Sequence, residues 1–188
     1  MRKVTLTFGL IAGFTVSLLM VLNMALLKGA LIDFDSAELI GYGSMLIALS
    51  MIFFGIKSFR DNYQNGRIGF AKSFQVGVLI TAVASLMYMA AWEIYSDTDL
   101  RTSFMDKYAE HTINKMKARG ASEAEIGQST KQMNNMKQMY QNPFIRMGFT
   151  LAEILPVGLV VTLISGAILR KKGILSASIP LATAGLTF

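Results

Sequence analysis

The chain has 188 residues, 53% of them hydrophobic and only 16% charged, with a mean hydropathy of +0.46. A soluble domain carries about 25% charged residues, so this balance excludes an ordinary water-soluble domain. The absence of cysteine excludes a disulfide framework, a thiol nucleophile and a Cys-ligated metal. The net charge of +6 falls at positions that report membrane topology rather than nucleic-acid binding.

Four apolar blocks follow in chain order: Val4–Leu27, Leu39–Ile56, Phe74–Trp92 and Phe144–Leu169. Each is close to the roughly 20 residues that a helix needs to cross about 30 Å of hydrocarbon. Arg2 and Lys3 precede the first block in the manner of a signal peptide, but the apolar run is too long and lacks a small-residue cleavage site, so we read a retained helix. The connection from Lys28 to Glu38 holds Asp33, Asp35 and Glu38 against Lys28. The connection from Lys57 to Lys72 holds Lys57, Arg60, Arg67 and Lys72 against Asp61, and Arg170, Lys171 and Lys172 follow the fourth block. Basic short loops stay on the cytoplasmic side, so both termini are expected inside and the long connection Glu93–Arg146 outside. The second connection could also meet anionic lipid headgroups through Lys57, Arg60, Arg67 and Lys72.

Between the third and fourth blocks the sequence predicts a helical hairpin over about 97–141. Ser96, Asp97 and Thr98 offer cap oxygens, and Met105, Tyr108, Ile113 and Met116 recur at helical spacing. Gly120 suits the position after a helix end, and Ser122 with Glu125 has the spacing of a capping box that opens a second helix. Asn142 and Pro143 suit the cap and first position of the fourth span. His111 and the hairpin methionines carry soft-metal donor atoms, yet methionine at helical spacing more often fills a helix interface, and no metal or cofactor is expected. The uncharged tail 173–188 is interrupted by Pro180 and is too short for a clear span.

The candidate polar site is Glu153, inside the fourth span. A charge at mid-membrane costs roughly 2.5–3.5 kcal/mol on insertion scales, so an ionisable group there points to function by default. Arg146 lies two helical turns earlier on a similar face, and Pro156 frees the carbonyl of Ala152. Asn23, Thr81, Ser85 and Thr162 are the expected mid-membrane partners of Glu153, while Glu93 beside Trp92 reads as an interfacial anchor. The pairs Gly9/Gly13, Ser73/Gly77 and Thr162/Gly166 have the small-xxx-small spacing of close helix packing.

Residues Arg67-Ile68-Gly69-Phe70-Ala71-Lys72-Ser73-Phe74-Gln75-Val76-Gly77, the hairpin turn Gly120-Ala121-Ser122-Glu123-Ala124-Glu125-Ile126 and the terminal Ile168-Leu169-Arg170-Lys171-Lys172 carry a resemblance over about residues 1–172. The chain resembles a bacterial membrane family catalogued as a domain of unknown function, number forty-one ninety-nine. The resemblance implies four transmembrane helices, a bacterial inner membrane and a charged hairpin before the last helix, and it implies no reaction.

The expected fold is thus all-α, a four-span membrane bundle over 1–172 with an extramembrane hairpin, followed by the tail. No zinc-protease motif, P-loop or nucleophile elbow is present, and no histidine lies in a span to activate a serine. The leading functional expectation is a non-enzymatic interaction or accessory protein that self-associates or holds a membrane-protein partner through its hairpin. The alternative is a small proton-coupled transporter or channel built on Glu153, and the third is a lipid-modifying membrane enzyme.

Overall fold

The computed structural model describes residues 1–96 and 98–170, with 98–102 given by backbone alone. Asp97, Lys171, Lys172 and the tail 173–188 lie outside the described residues. Seven helices occur among those described: α1 (Arg2–Lys28), α2 (Phe34–Leu49), α3 (Met51–Tyr63), α4 (Phe70–Tyr95), α5 (Thr98–Ala118), α6 (Glu123–Gln141) and α7 (Pro143–Leu169). Helices α1, α4 and α7, together with α2–α3 taken as one rod over Phe34–Tyr63, are long and apolar enough to cross a membrane. No strand occurs among the described residues.

The second span is longer than the expected Leu39–Ile56. Its front end extends because Asp33 caps α2, accepting the Ser36 N–H at 2.8 Å. Those bonds hold the Asp33 carboxyl below the usual carboxylate range. Its rear end extends because the charges that seemed to end it neutralise one another. Asp61 accepts Lys57 at 3.1 Å and Arg60 at 2.7 Å. Ser50 marks a slight break between α2 and α3, its hydroxyl donating to the Ile47 carbonyl at 2.6 Å. The fourth span opens as read, with Asn142 capping the Phe144 N–H and Pro143 in the first turn, where its missing N–H costs nothing.

The core lies where α4 meets α1 on one side and α7 on the other. Val76, Ile80, Ala84 and Tyr88 recur every four residues along α4 and are buried, with Gly77, Thr81 and Ser85 one position on. On α1, Gly9 and Gly13 face α4: a methyl built on Gly13 would lie 2.7 Å from Met87 Sδ, and one on Gly9 2.7 Å from Val83 Cβ. Between α4 and α7 two threonines interlock with two glycines. Thr162 of α7 sits on Gly77, and Thr81 of α4 sits on Gly158, which lets the backbones approach closely. The two hydroxyls are 3.4 Å apart, and Ser73 faces Gly166 one turn further along. The opposite face of α1 presents Leu10, Phe14, Leu18 and Leu22 outward, a stripe suited to lipid tails.

Helices α5 and α6 are too polar to span. The chain leaves α5 through Gly120, whose φ of +76° is the left-handed conformation that favours glycine. Its N–H reaches the Lys117 carbonyl and that of Ala121 the Met116 carbonyl, closing the helix end. Ser122 and Glu125 then cap α6 reciprocally, and these bonds hold the Glu125 carboxyl below its usual range. An ion pair between Lys137 of α6 and Asp106 of α5 links the two helices.

Candidate functional site

Glu153, Arg146 and Glu93 lie toward the end of the bundle where α1 and α4 finish and α2 and α7 begin. Arg146 is 97% hidden in the first turn of α7, its accessibility only 3%. A buried guanidinium must find acceptors for its donors. Its Nε donates to Glu93 Oε1 at 2.7 Å and its Nη2 to Glu93 Oε2 at 2.6 Å, the two-pronged geometry that arginine alone provides. Its Nη1 donates to the Tyr140 carbonyl at 3.0 Å, and the Tyr140 ring lies 5.9 Å from the guanidinium carbon. Tyr140 in turn accepts the Trp92 indole N–H at 2.9 Å. Burial pushes the Tyr140 phenol up to about 12, so it stays a neutral hydroxyl at any physiological pH. This clamp joins α4, α6 and α7.

A second clamp joins α5 to the start of α2. Asp35 accepts Lys115 and lies 3.4 Å from His111 Nε2. The Phe34 ring packs against Phe104, Tyr108 and His111 with centroids 5.3–5.9 Å apart. His111 is therefore engaged with α2 by charge and ring contact. Met105 is buried and Met116, Met133 and Met136 are half-buried, as side chains that fill an interface are, while Met139 is exposed.

Glu153 lies between these clamps, two turns beyond Arg146 on α7, and borders a groove of about 270 Å³. The structure does not pair it with Arg146, whose donors go to Glu93 and Tyr140. Its hydrogen-bond partner is the Tyr88 hydroxyl, which donates across 3.5 Å. Of the expected partners, Asn23 lines the same groove. Thr81 donates to the Gly77 carbonyl and sits beside Thr162, and Ser85 is buried with no partner for its oxygen. Pro156 lies within α7, which continues unbroken to Leu169.

Sequence reasoning missed the Glu93–Arg146 and Tyr88–Glu153 contacts, and also Asp35 with Lys115 and His111. Depth would have found the first. Glu93 is two residues from the end of α4 and Arg146 three from the start of α7, so both fall at one level of the bundle. Tyr88 lies inside the third apolar block, and no spacing relates it to Glu153 on another helix. Among the basic residues near the other end, Arg60 is only 1% exposed and bonded to Asp61. Arg67 and Lys72 are exposed.

A family model described as "Protein of unknown function (DUF4199)" matches residues 7–171 of the chain. No curated protein and no solved structure matches it.

Proposed function

Because the chain belongs to the DUF4199 family of proteins of unknown function, we propose its role from geometry: a non-enzymatic interaction or accessory protein of the bacterial inner membrane, with both termini cytoplasmic and α5–α6 forming a hairpin on the outer side. The orientation is supported by charge. Asp33, Asp35 and Glu38 gather at the proposed outer end, and Lys57, Arg67 and Lys72 at the inner end. The observation that carries the role is the double anchorage of the hairpin. Asp35 holds Lys115 on α5, and Arg146 holds the end of α6 through Tyr140. A loop that merely connected two spans would need neither anchor. Held at both ends, the hairpin offers an ordered outward surface, and α6 has no buried residue of its own to occupy that surface.

The chain lacks cysteine, so single cysteines introduced at exposed Gln128 or Gln132 can carry a crosslinker in cells without interference. One defined partner, either a second copy or a specific membrane protein, is the expected product. A smear of abundant neighbours would contradict the reading.

A second reading, a proton-coupled transporter or channel, is favoured by the placement of Glu153 at a groove beside the Tyr88 hydroxyl. In liposomes Glu153→Gln would abolish proton-linked flux on that reading; unchanged flux removes it.

A further inference from the structure

The groove beside Glu153 carries two carboxylates, those of Glu38 and Glu153. Asn23, Ser44 and the hydroxyls of Tyr42, Tyr88 and Tyr108 complete its polar lining. Asn23 is 94% buried, at 6% accessibility, and its orientation is fixed. Its Nδ2 donates to the Ala37 carbonyl at 2.8 Å, a role the amide oxygen cannot fill, so Oδ1 must be the other prong. That oxygen is buried and has no partner in the protein. It is closed off from the groove surface, so a donor in the groove would meet it only after a shift of the Asn23 side chain.

None of the described residues that line the groove is Lys, Arg or His. Of the cations on neighbouring elements, Lys115 is paired with Asp35 and Arg146 with Glu93. The rest of the wall is aromatic and thioether. Phe34, Tyr42, Tyr88, Phe104 and Tyr108 contribute rings, whose faces attract organic cations, and Met20, Met24 and Met45 contribute soft apolar surface. A second hollow of about 180 Å³ shares Tyr88, Phe104 and Glu153 with the first and continues toward Trp92 and Phe149. A polar end and an apolar extension thus meet at Glu153.

We propose that this groove binds an amphipathic primary ammonium compound, with its charged N–H head at the Glu153 carboxylate and its apolar body along the aromatic wall. A metal ion suits the site poorly, since soft thioethers and hard carboxylates are mixed and the rings would lie idle. The head belongs either to a free amphipathic amine or to an ethanolamine lipid. The inference goes beyond the accessory role and does not depend on which partner the hairpin meets.

The single tryptophan, Trp92, lines the adjoining hollow and can serve as an energy-transfer donor. The probe is dansylcadaverine, a primary ammonium with an apolar fluorophore, added to the full-length protein in phosphatidylcholine nanodiscs. Saturable transfer from Trp92 is expected, with the N-acetylated, uncharged probe about tenfold weaker, since a charge-assisted hydrogen bond contributes roughly 1.5–3 kcal/mol. Glu153→Gln should weaken binding by about tenfold and erase the preference for the charged probe. Glu38→Gln, at an exposed position, provides a second variant should the first fail to fold, and should lower affinity severalfold. Adding phosphatidylethanolamine to the nanodiscs raises the apparent Kd if the lipid head is the occupant and leaves it unchanged if a free amine is. Equal affinity for the charged and acetylated probes, or indifference to both Glu substitutions, overturns the proposal.

Discussion

At the scale of single residues, the decisive interaction is Arg146 with Glu93. Its value lies less in net stability than in the penalty for breaking it, because a buried guanidinium stripped of its carboxylate has nowhere to place its charge. Glu93→Ala should therefore destabilise the protein by roughly 3 kcal/mol. Arg146→Leu combined with Glu93→Ala should cost less than the sum of the single changes, as thermal unfolding in detergent with a double-mutant cycle would report. Arg146→Lys should resemble loss of the pair, since an ammonium cannot make the two parallel bonds at 2.6 and 2.7 Å. Additive effects would mean that the pair is dispensable. Arg146–Glu93 was legible in the sequence only as two charges at one depth of the bundle, and Tyr88–Glu153 was not legible. The partners are 53 and 65 residues apart, and no periodicity relates residues on different helices. Local chemistry was legible. Ser122 with Glu125, and Asn142 with Pro143, act within one turn of where they sit, so spacing alone identifies them.

At the scale of elements, the contact between α4 and α7 depends on matched small residues rather than on apolar burial, which lipid would supply equally well. The nearest atom to a methyl built on Gly158 is Thr81 Cγ2. Gly158→Ala should thus cost about 1–3 kcal/mol through overpacking, and Thr81→Ser, which deletes that methyl and keeps the hydroxyl, should restore much of the loss. Gly43→Ala, where nothing lies within 4 Å, is the matched control and should be nearly neutral. Thermal stability of the three variants and the rescue pair checks the prediction, and a failed rescue would show that the clash is not with Thr81. The pair spacings in the sequence marked Gly77 and Thr162 as small residues on their own helices. They did not show that these two meet, nor that Gly158 receives Thr81, because helix register is a property of the bundle. The second span shows the complementary limit. Lys57, Arg60 and Asp61 read as the end of a hydrophobic block, yet their mutual ion pairs let the helix continue to Tyr63.

At the scale of the whole molecule, the four spans were legible because hydrophobicity comes in blocks, and the bilayer imposes one length on all of them. Their arrangement adds what composition could not: a bundle whose acidic, aromatic end carries two polar helices held by separate polar contacts, with a groove bearing two carboxylates beside them. That arrangement gives the accessory reading, the proton reading and the ammonium site a shared dependence on orientation, since each places α5–α6 and Glu153 toward the outer side. The most direct measurement is labelling of single cysteines by a membrane-impermeant maleimide on intact spheroplasts. Gln128→Cys on α6 and Gln64→Cys between α3 and α4 are both at exposed positions. The account predicts that Gln128→Cys labels at once and Gln64→Cys only after the membrane is permeabilised. The opposite pattern, or equal labelling of both before permeabilisation, would contradict it.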